Sequence, residues 1–381
     1  MALIDKSEFV GLQDIAHLCT GGEAPWLRSH TAACERFGGL KSAGMAGREE
    51  MFAIGRRARG RAARLLGVDP GEVAFLAHAS EGLNQAIRSV EWRAGDNVVF
   101  ADLEYPSLIY PAARLREQAV EPRVIRTRGH YLSLDELAAQ VDGRTRLLLV
   151  SQVSYLTGQR LDLARCAEIA RGAGAFLAVD ATHAAGVVPV PGATCDFLVS
   201  SCYKWLLATH GVGLFAYSPE RVGDLRPATV GWHSVGHRGG PSDPLAMLWR
   251  PDASRLEAGN PSLLGLAVLD NALARLERLS PEAVERHALG LNGALIAGLK
   301  TRGYTVITPE AAEERAGNVC FLADDAAGLA ARLAAESVLV WGGEGRIRVS
   351  PHVHCDRDDV ERFFEALDRV GVERGQPAST R

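Results

Sequence analysis

Residues 196–205 of the chain read Asp-Phe-Leu-Val-Ser-Ser-Cys-Tyr-Lys-Trp, so that an apolar run ends in polar residues and a single lysine, Lys204. A second apolar run upstream, residues 176–179, ends in Asp180. Short runs that are apolar throughout are typical of strands buried on both faces of a parallel sheet. Because parallel strands end at the same edge of a sheet, we expect Asp180 and Lys204 to face each other there.

Short apolar runs alternate with helical patterns from about residue 72 to about residue 260. Repeated strand–helix units predict an α/β fold, with a large domain whose mostly parallel sheet is flanked by helices and whose ligand site lies at the carboxyl ends of the strands. Two long helical patterns then lead into a smaller α+β C-terminal domain. The predicted strands are residues 73–76, 97–101, 122–126, 145–151, 176–179, 197–200, 212–217, 318–322 and 346–350, and the later predicted helices are residues 263–279, 281–300 and 357–370.

These changes of pattern divide the chain into three predicted parts. Residues 1–50 hold two glycine pairs and no clear period, and we expect them to pack near the ligand site or a partner subunit. Residues 50–260 are predicted to form the large domain and residues 261–375 the small one. The tail from residue 376 onward is expected to fray, as chain ends commonly do.

The composition argues against several classes of protein. The chain has 381 residues, 47% of them hydrophobic and 23% charged, and its net charge of −4 is unfavourable for a nucleic-acid or membrane-surface partner. No apolar run reaches the ~18 residues of a membrane span, and the N-terminus lacks the apolar core of a signal peptide. Seven cysteines without paired spacing predict reduced thiols and a cytoplasmic location. His352, His354 and Cys355 have no second ligand cluster nearby, so no metal site is predicted.

The pair Lys204 and Asp180 is what pyridoxal 5′-phosphate requires of a protein. The lysine amine forms a Schiff base with the cofactor aldehyde, and the carboxylate pairs with the pyridine nitrogen and keeps the ring electron-withdrawing. Taken alone, Asp180 is more simply a turn cap after its strand, and only the pairing favours the cofactor. His183, three residues later, reaches the phenolic oxygen of the ring in one interpretation and is a hydrogen-bonded loop histidine in the other.

Residues 77–84, Ala-His-Ala-Ser-Glu-Gly-Leu-Asn, follow a predicted strand and open a helix. We expect Ser80 to be the N-cap, and the free amides of the first helical turn to bind the cofactor phosphate. Ser201 and Tyr203 flank the lysine and are expected to donate hydroxyl groups to the same phosphate. The alternative for this segment alone is an ordinary capped helix.

Two further residues are candidates for ligand contacts. Tyr105 follows a predicted strand and is placed to lay its ring on a flat ligand, although it could equally pack on the next helix. Arg348 lies on a predicted strand of the small domain, on the same face as Arg346, and its guanidinium could hold a substrate carboxylate through two hydrogen bonds. The alternative for the two arginines is a solvated strand edge.

Taken together, these motifs resemble the class V aminotransferase and cysteine desulfurase family of fold type I pyridoxal-phosphate enzymes, from about residue 50 to about residue 370. The resemblance implies that Lys204, Asp180, His183 and Tyr105 act in catalysis and hold the cofactor. Further cofactor contacts that it implies are Ala79, Ser80, Ser201, Tyr203 and Tyr155, the last of these where many members carry an asparagine, while Arg348 would bind the substrate.

The resemblance also implies a homodimer. In the family, a Glu-Ala-Gly-Thr-like segment of the partner subunit touches the phosphate, and residues 257–260 here read Glu-Ala-Gly-Asn. Asn260 would therefore make that contact across the dimer.

The departures from the family pattern bear on the reaction. Desulfurases stack a histidine on the ring where this chain has Tyr105, and they carry a persulfide-forming cysteine shortly before the carboxylate-binding arginine, whereas residues 321–347 contain no cysteine. The first prediction is therefore transamination of an amino acid or related amine. The alternatives are β-elimination of the carbon–sulfur lyase type, epimerisation, or a catalytically inactive binding protein on the same fold.

Overall fold

The computed structural model describes residues 1–127, 129–238, 245 and 247–370. The predicted C-terminal tail and part of the loop after residue 238 lie outside the described residues. The strands are β1 (Ala16–His17), β2 (Val73–Leu76), β3 (Asn97–Ala101), β4 (Glu121–Ile125), β5 (Thr145–Ser151), β6 (Phe176–Asp180), β7 (Phe197–Ser201), β8 (Gly213–Tyr217), β9 (Val235–Arg238), β10 (Met247–Trp249), β11 (Val319–Leu322), β12 (Val338–Leu339), β13 (Trp341–Gly343) and β14 (Arg346–Val349). The helices are α1 (Arg28–Ser42), α2 (Gly44–Leu66), α3 (Ala79–Arg88), α4 (Pro106–Arg114), α5 (Leu134–Gln140), α6 (Leu163–Gly172), α7 (Pro219–Val222), α8 (Leu263–Leu276), α9 (Pro281–Thr301), α10 (Ala326–Ala335) and α11 (Arg357–Val370).

The central sheet has seven strands in the order β2-β8-β7-β6-β5-β3-β4. Strands β7, β6, β5, β3 and β4 run parallel, and β8 is antiparallel to both of its neighbours. The predicted α/β fold with a mostly parallel sheet is confirmed. The chain returns from β7 to β8 through residues 202–212 without a crossover helix, and a connection of that kind joins antiparallel strands.

Both faces of this sheet are buried. Along β5, Leu147 and Leu149 belong to one apolar cluster, while Leu148 and Val150 belong to the cluster on the opposite face. This alternation explains why the strands are apolar throughout, since successive side chains point to opposite faces.

The registers of the strands align their polar ends at one edge. Asp180 pairs with Ser151 of β5 on one side and with Val199 of β7 on the other. Strand β7 ends at Ser201, three residues before Lys204. The carboxyl ends of β5, β6 and β7 therefore place Ser151, Asp180 and the lysine loop side by side.

A smaller sheet, in the order β11-β14-β13, is antiparallel and packs with α9, α10 and α11 around a third apolar cluster. The predicted smaller α+β section is confirmed in architecture, whereas the exact domain boundaries stay a prediction. In the described part of the chain, no helix combines the length and apolarity needed to cross a membrane.

The N-terminal residues, in which the sequence shows no clear period, form regular secondary structure. Most of residues 28–66 is helical, and α1 and α2 pack against α8. Ahead of them, β1 pairs in parallel with β12, so that Ala16 and Leu18 enter the apolar cluster of the small sheet. The N-terminal residues therefore contact α8 and also the apolar cluster of the small sheet.

Candidate active site

A cavity of about 130 Å³ opens at the carboxyl edge of the central sheet. It brings together residues from β6, the lysine loop, the start of α3 and the loops after β3 and β5. The predicted site residues that line it are Ala79, Ser80, Tyr105, Tyr155, Asp180, His183, Ser201, Tyr203 and Lys204.

Asp180 is the last residue of β6 and is buried in this cavity. Its Oδ1 accepts a hydrogen bond from the amide of Thr182 at 2.8 Å. Burial raises the pKa of the carboxyl group, while the Thr182 hydrogen bonds and the nearby Lys204 lower it. A buried carboxylate next to the lysine amine suits a cationic ring nitrogen.

Lys204 is also buried, and its amine is poised for nucleophilic attack. Burial and the positive charge of Arg348 lower its pKa to about 8, against the opposing pull of Asp180 and Glu23. A lysine with a lowered pKa has a larger neutral fraction near neutral pH, and the neutral amine is the nucleophile. The amine lies 3.2 Å from Nε2 of His183.

The hydrogen bonds around His183 define its tautomer. Its Nδ1 accepts from Trp205 Nε1 at 3.3 Å and from Asn318 Nδ2 at 3.0 Å. Ser350 Oγ donates to Asn318 Oδ1 at 2.9 Å, which turns the amide of Asn318 so that its nitrogen faces the histidine. Burial and the charges of Lys204 and Arg348 hold the pKa of His183 well below its usual range. The ring is therefore neutral, and Nε2 carries the proton that points into the cavity.

Helix α3 opens at Ala79, and its N-cap is His78, whose Nδ1 accepts from the amide of Glu81 at 3.0 Å. The prediction that Ser80 is the N-cap was wrong. The chain stays extended through His78, and Ser80 lies in the first turn, where its hydroxyl donates to Ser107 Oγ at 2.7 Å. The amides of Ala79 and Ser80 have no intrahelical acceptor and are available to an anion.

Gly213 of β8 allows this helix start to lie against the sheet. A Cβ at that position would lie 2.5 Å from the carbonyl carbon of His78 and 2.8 Å from the amide nitrogen of Ala79. Only glycine permits the strand and the helix start to approach so closely.

Three tyrosine rings border the cavity. Tyr105 and Tyr203 each have their ring centroid 5.6 Å from the Lys204 amine. Tyr155 meets Tyr105 edge-on, with centroids 5.0 Å apart, and Tyr203 stacks on His210 at 4.1 Å. The Tyr105 side chain is 42% exposed, so the face of its ring is accessible to a flat ligand.

Arg348 lies outside the cavity lining but next to it. It stands on β14, the middle strand of the small sheet, is 5% exposed, and donates through Nη1 to the carbonyl of Tyr155 at 3.1 Å. Its charge reaches Lys204 and His183, whose pKa values it lowers. Because Arg348 is buried on a middle strand, it does not lie on a solvated strand edge, and that alternative interpretation of the arginine is excluded.

Asn260 is not brought to the cavity of its own chain. It is exposed and accepts a hydrogen bond from Arg48 at 3.0 Å. Its expected contact with the phosphate of a partner subunit stays a prediction.

Sequence reasoning missed several residues that the fold brings to the site. Thr182 lines the cavity, and its hydroxyl accepts from the amide of Ser201 at 3.0 Å. Glu104 is buried behind the cavity with both oxygens on Ser151, and burial raises its pKa to about 7. The position of Glu104 directly before Tyr105 was the only local signal for it.

The N-terminal segment also reaches the site. The amide of Ala24 donates to the carbonyl of Tyr203 at 3.2 Å, and Glu23 pairs with His210 at 3.3 Å. Cys19 lies close enough to Arg348 for the two to interact, but burial raises the pKa of its thiol. Cys19 is thus a half-buried, protonated thiol near the arginine.

The histidines that suggested a metal site make other contacts. His352 hydrogen bonds to the carbonyl of Gly186 at 2.9 Å and His354 to that of His17 at 3.0 Å. Across the described ranges, no group of three or more ligating side chains could hold a metal ion.

The family profile described as "Aminotransferase class-V" matches residues 38–363. The chain belongs to the class V aminotransferase family. Its sequence is 29% identical to isopenicillin N epimerase of Streptomyces clavuligerus, over 97% of this chain and 99% of that protein. It is also 29% identical to a probable cysteine desulfurase of Pseudomonas aeruginosa, over 82% of this chain and 81% of the relative.

Solved structures agree with this assignment of the fold. The apo cysteine desulfurase of Thermococcus onnurineus NA1 superposes with a TM-score of 0.86 at 20% identity, covering 96% of each chain. A C-DES variant with glycine covalently linked to its pyridoxal-phosphate cofactor superposes with a TM-score of 0.87 at 21% identity, over 96% of this chain and 99% of that one. The cofactor of this class V family member is pyridoxal 5′-phosphate, and the predicted family, fold class and cofactor are confirmed.

Proposed function

We propose that the chain acts at the α-carbon of an amino acid and that its reaction is transamination. The observation that carries this proposal is the meeting of Lys204, with its lowered pKa, and the buried Asp180 in one cavity that a helix N-terminus also enters. An amine, a carboxylate and free amides match the aldehyde, the pyridine nitrogen and the phosphate of the cofactor. When bound, the cofactor supplies an electron sink that weakens the bonds at the substrate α-carbon.

Each end of the cofactor has residues that fit it. Asp180 would hold the pyridine nitrogen, and the Nε2 proton of His183 would be donated to the phenolic oxygen, with Tyr155 nearby and the ring of Tyr105 against the cofactor face. The phosphate would be bound by the amides of Ala79 and Ser80 and by the hydroxyl groups of Ser201 and Tyr203.

A homodimer completes this proposal, because Asn260 of the partner subunit would then meet the same phosphate. All seven cysteines are free thiols, which favours a reducing compartment and a cytoplasmic location.

Lys204 and Arg348 would handle the substrate. The guanidinium of Arg348 would orient the substrate carboxylate, and the amine of Lys204 would take the proton from the α-carbon and deliver it, on the same face, to the carbon that was the cofactor aldehyde. Among the described residues that line the cavity, Lys204 supplies the one primary amine. A single mobile base suffices for transamination, and this supports it as the first candidate.

Epimerisation is the second candidate, because the similarity to isopenicillin N epimerase extends over nearly the full length of both chains. It requires a proton source besides Lys204. Glu23 offers one, since its charge interacts with Lys204 and burial raises the pKa of its carboxyl group. Desulfuration through a persulfide is not proposed, because Cys19 is a protonated thiol and residues 321–347 hold no cysteine.

The test incubates the holoenzyme with a panel of L-amino acids, with and without a keto acid. Transamination predicts an amino acid formed from the added keto acid, in a reaction that stops without it. Epimerisation predicts the D-enantiomer by chiral chromatography and its loss in Glu23→Gln. Pyruvate and ammonia from a β-substituted substrate without a keto acid would instead identify a lyase, and no product together with no spectral change would refute the proposal.

A further inference from the structure

Two arginines lie side by side next to the active site. Arg346 and Arg348 are two residues apart on β14, so their side chains project from the same face of the strand. Their side chains contact the same indole, with guanidinium carbons 4.8 Å and 5.0 Å from the ring centroid of Trp341. Both are buried, at 3% and 5% exposure.

The hydrogen-bonding capacity of these arginines is far from satisfied. Within the described residues, Nε and Nη2 of Arg346 and Nε of Arg348 are buried without a hydrogen-bond partner. Buried donors of a charged group are normally paired, because an unpaired one loses its hydration without compensation. Unpaired guanidinium N–H groups at this position therefore indicate an anionic ligand.

The described residues supply too little negative charge for the two cations. Arg346 pairs through Nη1 with Glu344 at 2.7 Å, but the Glu344 side chain is 62% exposed. Among the described residues, Arg348 forms no ion pair, and its one hydrogen bond goes to a carbonyl oxygen. Arg348 is already matched by the α-carboxylate of an amino-acid substrate, which leaves Arg346 in need of a second anion.

Arg346 lies at the border of the substrate region. Its guanidinium carbon is 5.4 Å from the ring centroid of Tyr155, a residue that lines the cofactor cavity. Arg348 binds the backbone carbonyl of the same tyrosine. Tyr155 therefore connects both arginines to the cavity. A substrate held by Arg348 would have its side chain within reach of Tyr155 and the neighbouring Arg346.

We propose that Arg346 forms a second anion site and that the substrate is an amino acid with an acidic group on its side chain. Arg348 binds the α-carboxylate and Arg346 the side-chain carboxylate, while the exposed Glu344 side chain gives way to the ligand. The proposal rests on the proposed function, since it takes an amino acid as the substrate.

The experiment measures equilibrium binding rather than turnover. The spectrum of the holoenzyme is titrated with L-glutamate and L-glutamine, and with L-aspartate and L-asparagine, pairs that differ mainly in the charge of the side chain. A charged hydrogen bond to Arg346 predicts that an acid of the right length binds about tenfold or more tightly than its amide.

Three variants separate a ligand role from a structural one. Arg346→Met should reduce the preference for the acid to less than about twofold and leave the amide affinity within about threefold, and Arg346→Lys should retain part of the preference. Glu344→Gln should increase the preference, because it removes the carboxylate that competes for Arg346. A purely structural arginine would instead weaken acid and amide alike. Arg332→Gln, which removes a small-domain arginine paired with Asp325 at 3.0 Å, is the matched control and should change neither affinity.

The outcomes also distinguish this inference from the proposed function. Equal binding of acids and amides by the wild-type enzyme overturns the second anion site and leaves the proposed function standing. An unchanged preference in Arg346→Met overturns it as well. A spectrum that no amino acid perturbs overturns both.

Discussion

The lowered pKa of Lys204 can be measured directly in the cofactor-free protein. With a pKa of about 8 rather than the ordinary 10.5, roughly one Lys204 amine in ten is neutral at pH 7, against about one in three thousand for an ordinary lysine. The reactivity of Lys204 toward an acylating reagent should therefore rise with pH and level off above a midpoint of about 8.

The assay is competitive acetylation with trace acetic anhydride, followed by peptide mass spectrometry across pH 6 to pH 11. The chain has only three other lysines, Lys6, Lys41 and Lys300, so every labelled site can be resolved. Lys41 is exposed and supplies the reference curve in the same sample. The ratio of the two labels cancels the pH dependence of the reagent.

Two substitutions should move the midpoint in opposite directions. Arg348→Met removes a positive charge that lowers the pKa of Lys204, so the midpoint should rise, but not as far as 10.5, because burial is the larger cause. Asp180→Asn removes a negative charge that raises the same pKa, so the midpoint should fall. Circular dichroism of both variants provides the control for folding.

A wild-type midpoint at or above that of Lys41 would refute the reasoning. So would two variants that shift the midpoint in the same direction, because Arg348 and Asp180 act on the pKa of Lys204 with opposite signs.

Three other changes have defined outcomes. Lys204→Ala should not form the visible absorbance of lysine-bound cofactor, nor a borohydride-stable adduct, after incubation with pyridoxal phosphate. Gly213→Val should raise the dissociation constant of the cofactor at least about tenfold in equilibrium dialysis, because its side chain collides with the helix start that we assign to the phosphate. Burial lowers the pKa of His17 and His352 to about 4, so the unfolded chain binds protons first as the pH falls below 6.5. His17→Gln and His352→Gln should therefore each remove about 2 kcal/mol of acid destabilisation between pH 8 and pH 5, seen as the difference from wild type in the free energy of unfolding from urea titrations, and an unchanged pH dependence in both variants would contradict the burial of these rings.

The sheet and the lysine site were predictable because their signals are local. Strand β6 is a run of apolar residues closed by Asp180, and β7 is a similar run closed by serines shortly before Lys204, so the pattern alone places both groups at one edge. Helix α11 was predicted at its observed bounds, because its apolar face repeats with helical period.

The helical structure within residues 28–50 was not predicted, because glycines at positions 38, 39, 44 and 47 weaken the local preference for helix. What stabilises these helices is packing against α8, a helix more than 200 residues later, and no local pattern reports such a contact. The N-cap at His78 was missed for a related reason. Serine is the better cap by local preference, whereas the observed helix start fits the close approach of Gly213.

The residues that orient His183 could not be predicted from the local sequence either, because they lie far from it along the chain. Asn318 lies 135 positions away in the sequence, in the small domain directly before β11, and Ser350, directly after β14, orients it. Ser350 in turn forms a bridge with Cys19 of the N-terminal segment, whose Ala24 amide binds the carbonyl of Tyr203 beside Lys204. Hydrogen bonds thus join the small domain to the N-terminal segment, and the N-terminal segment to the lysine loop. Arg348 lies on β14, two residues before Ser350, so its position relative to the Lys204 amine is set by contacts that join all three parts of the fold.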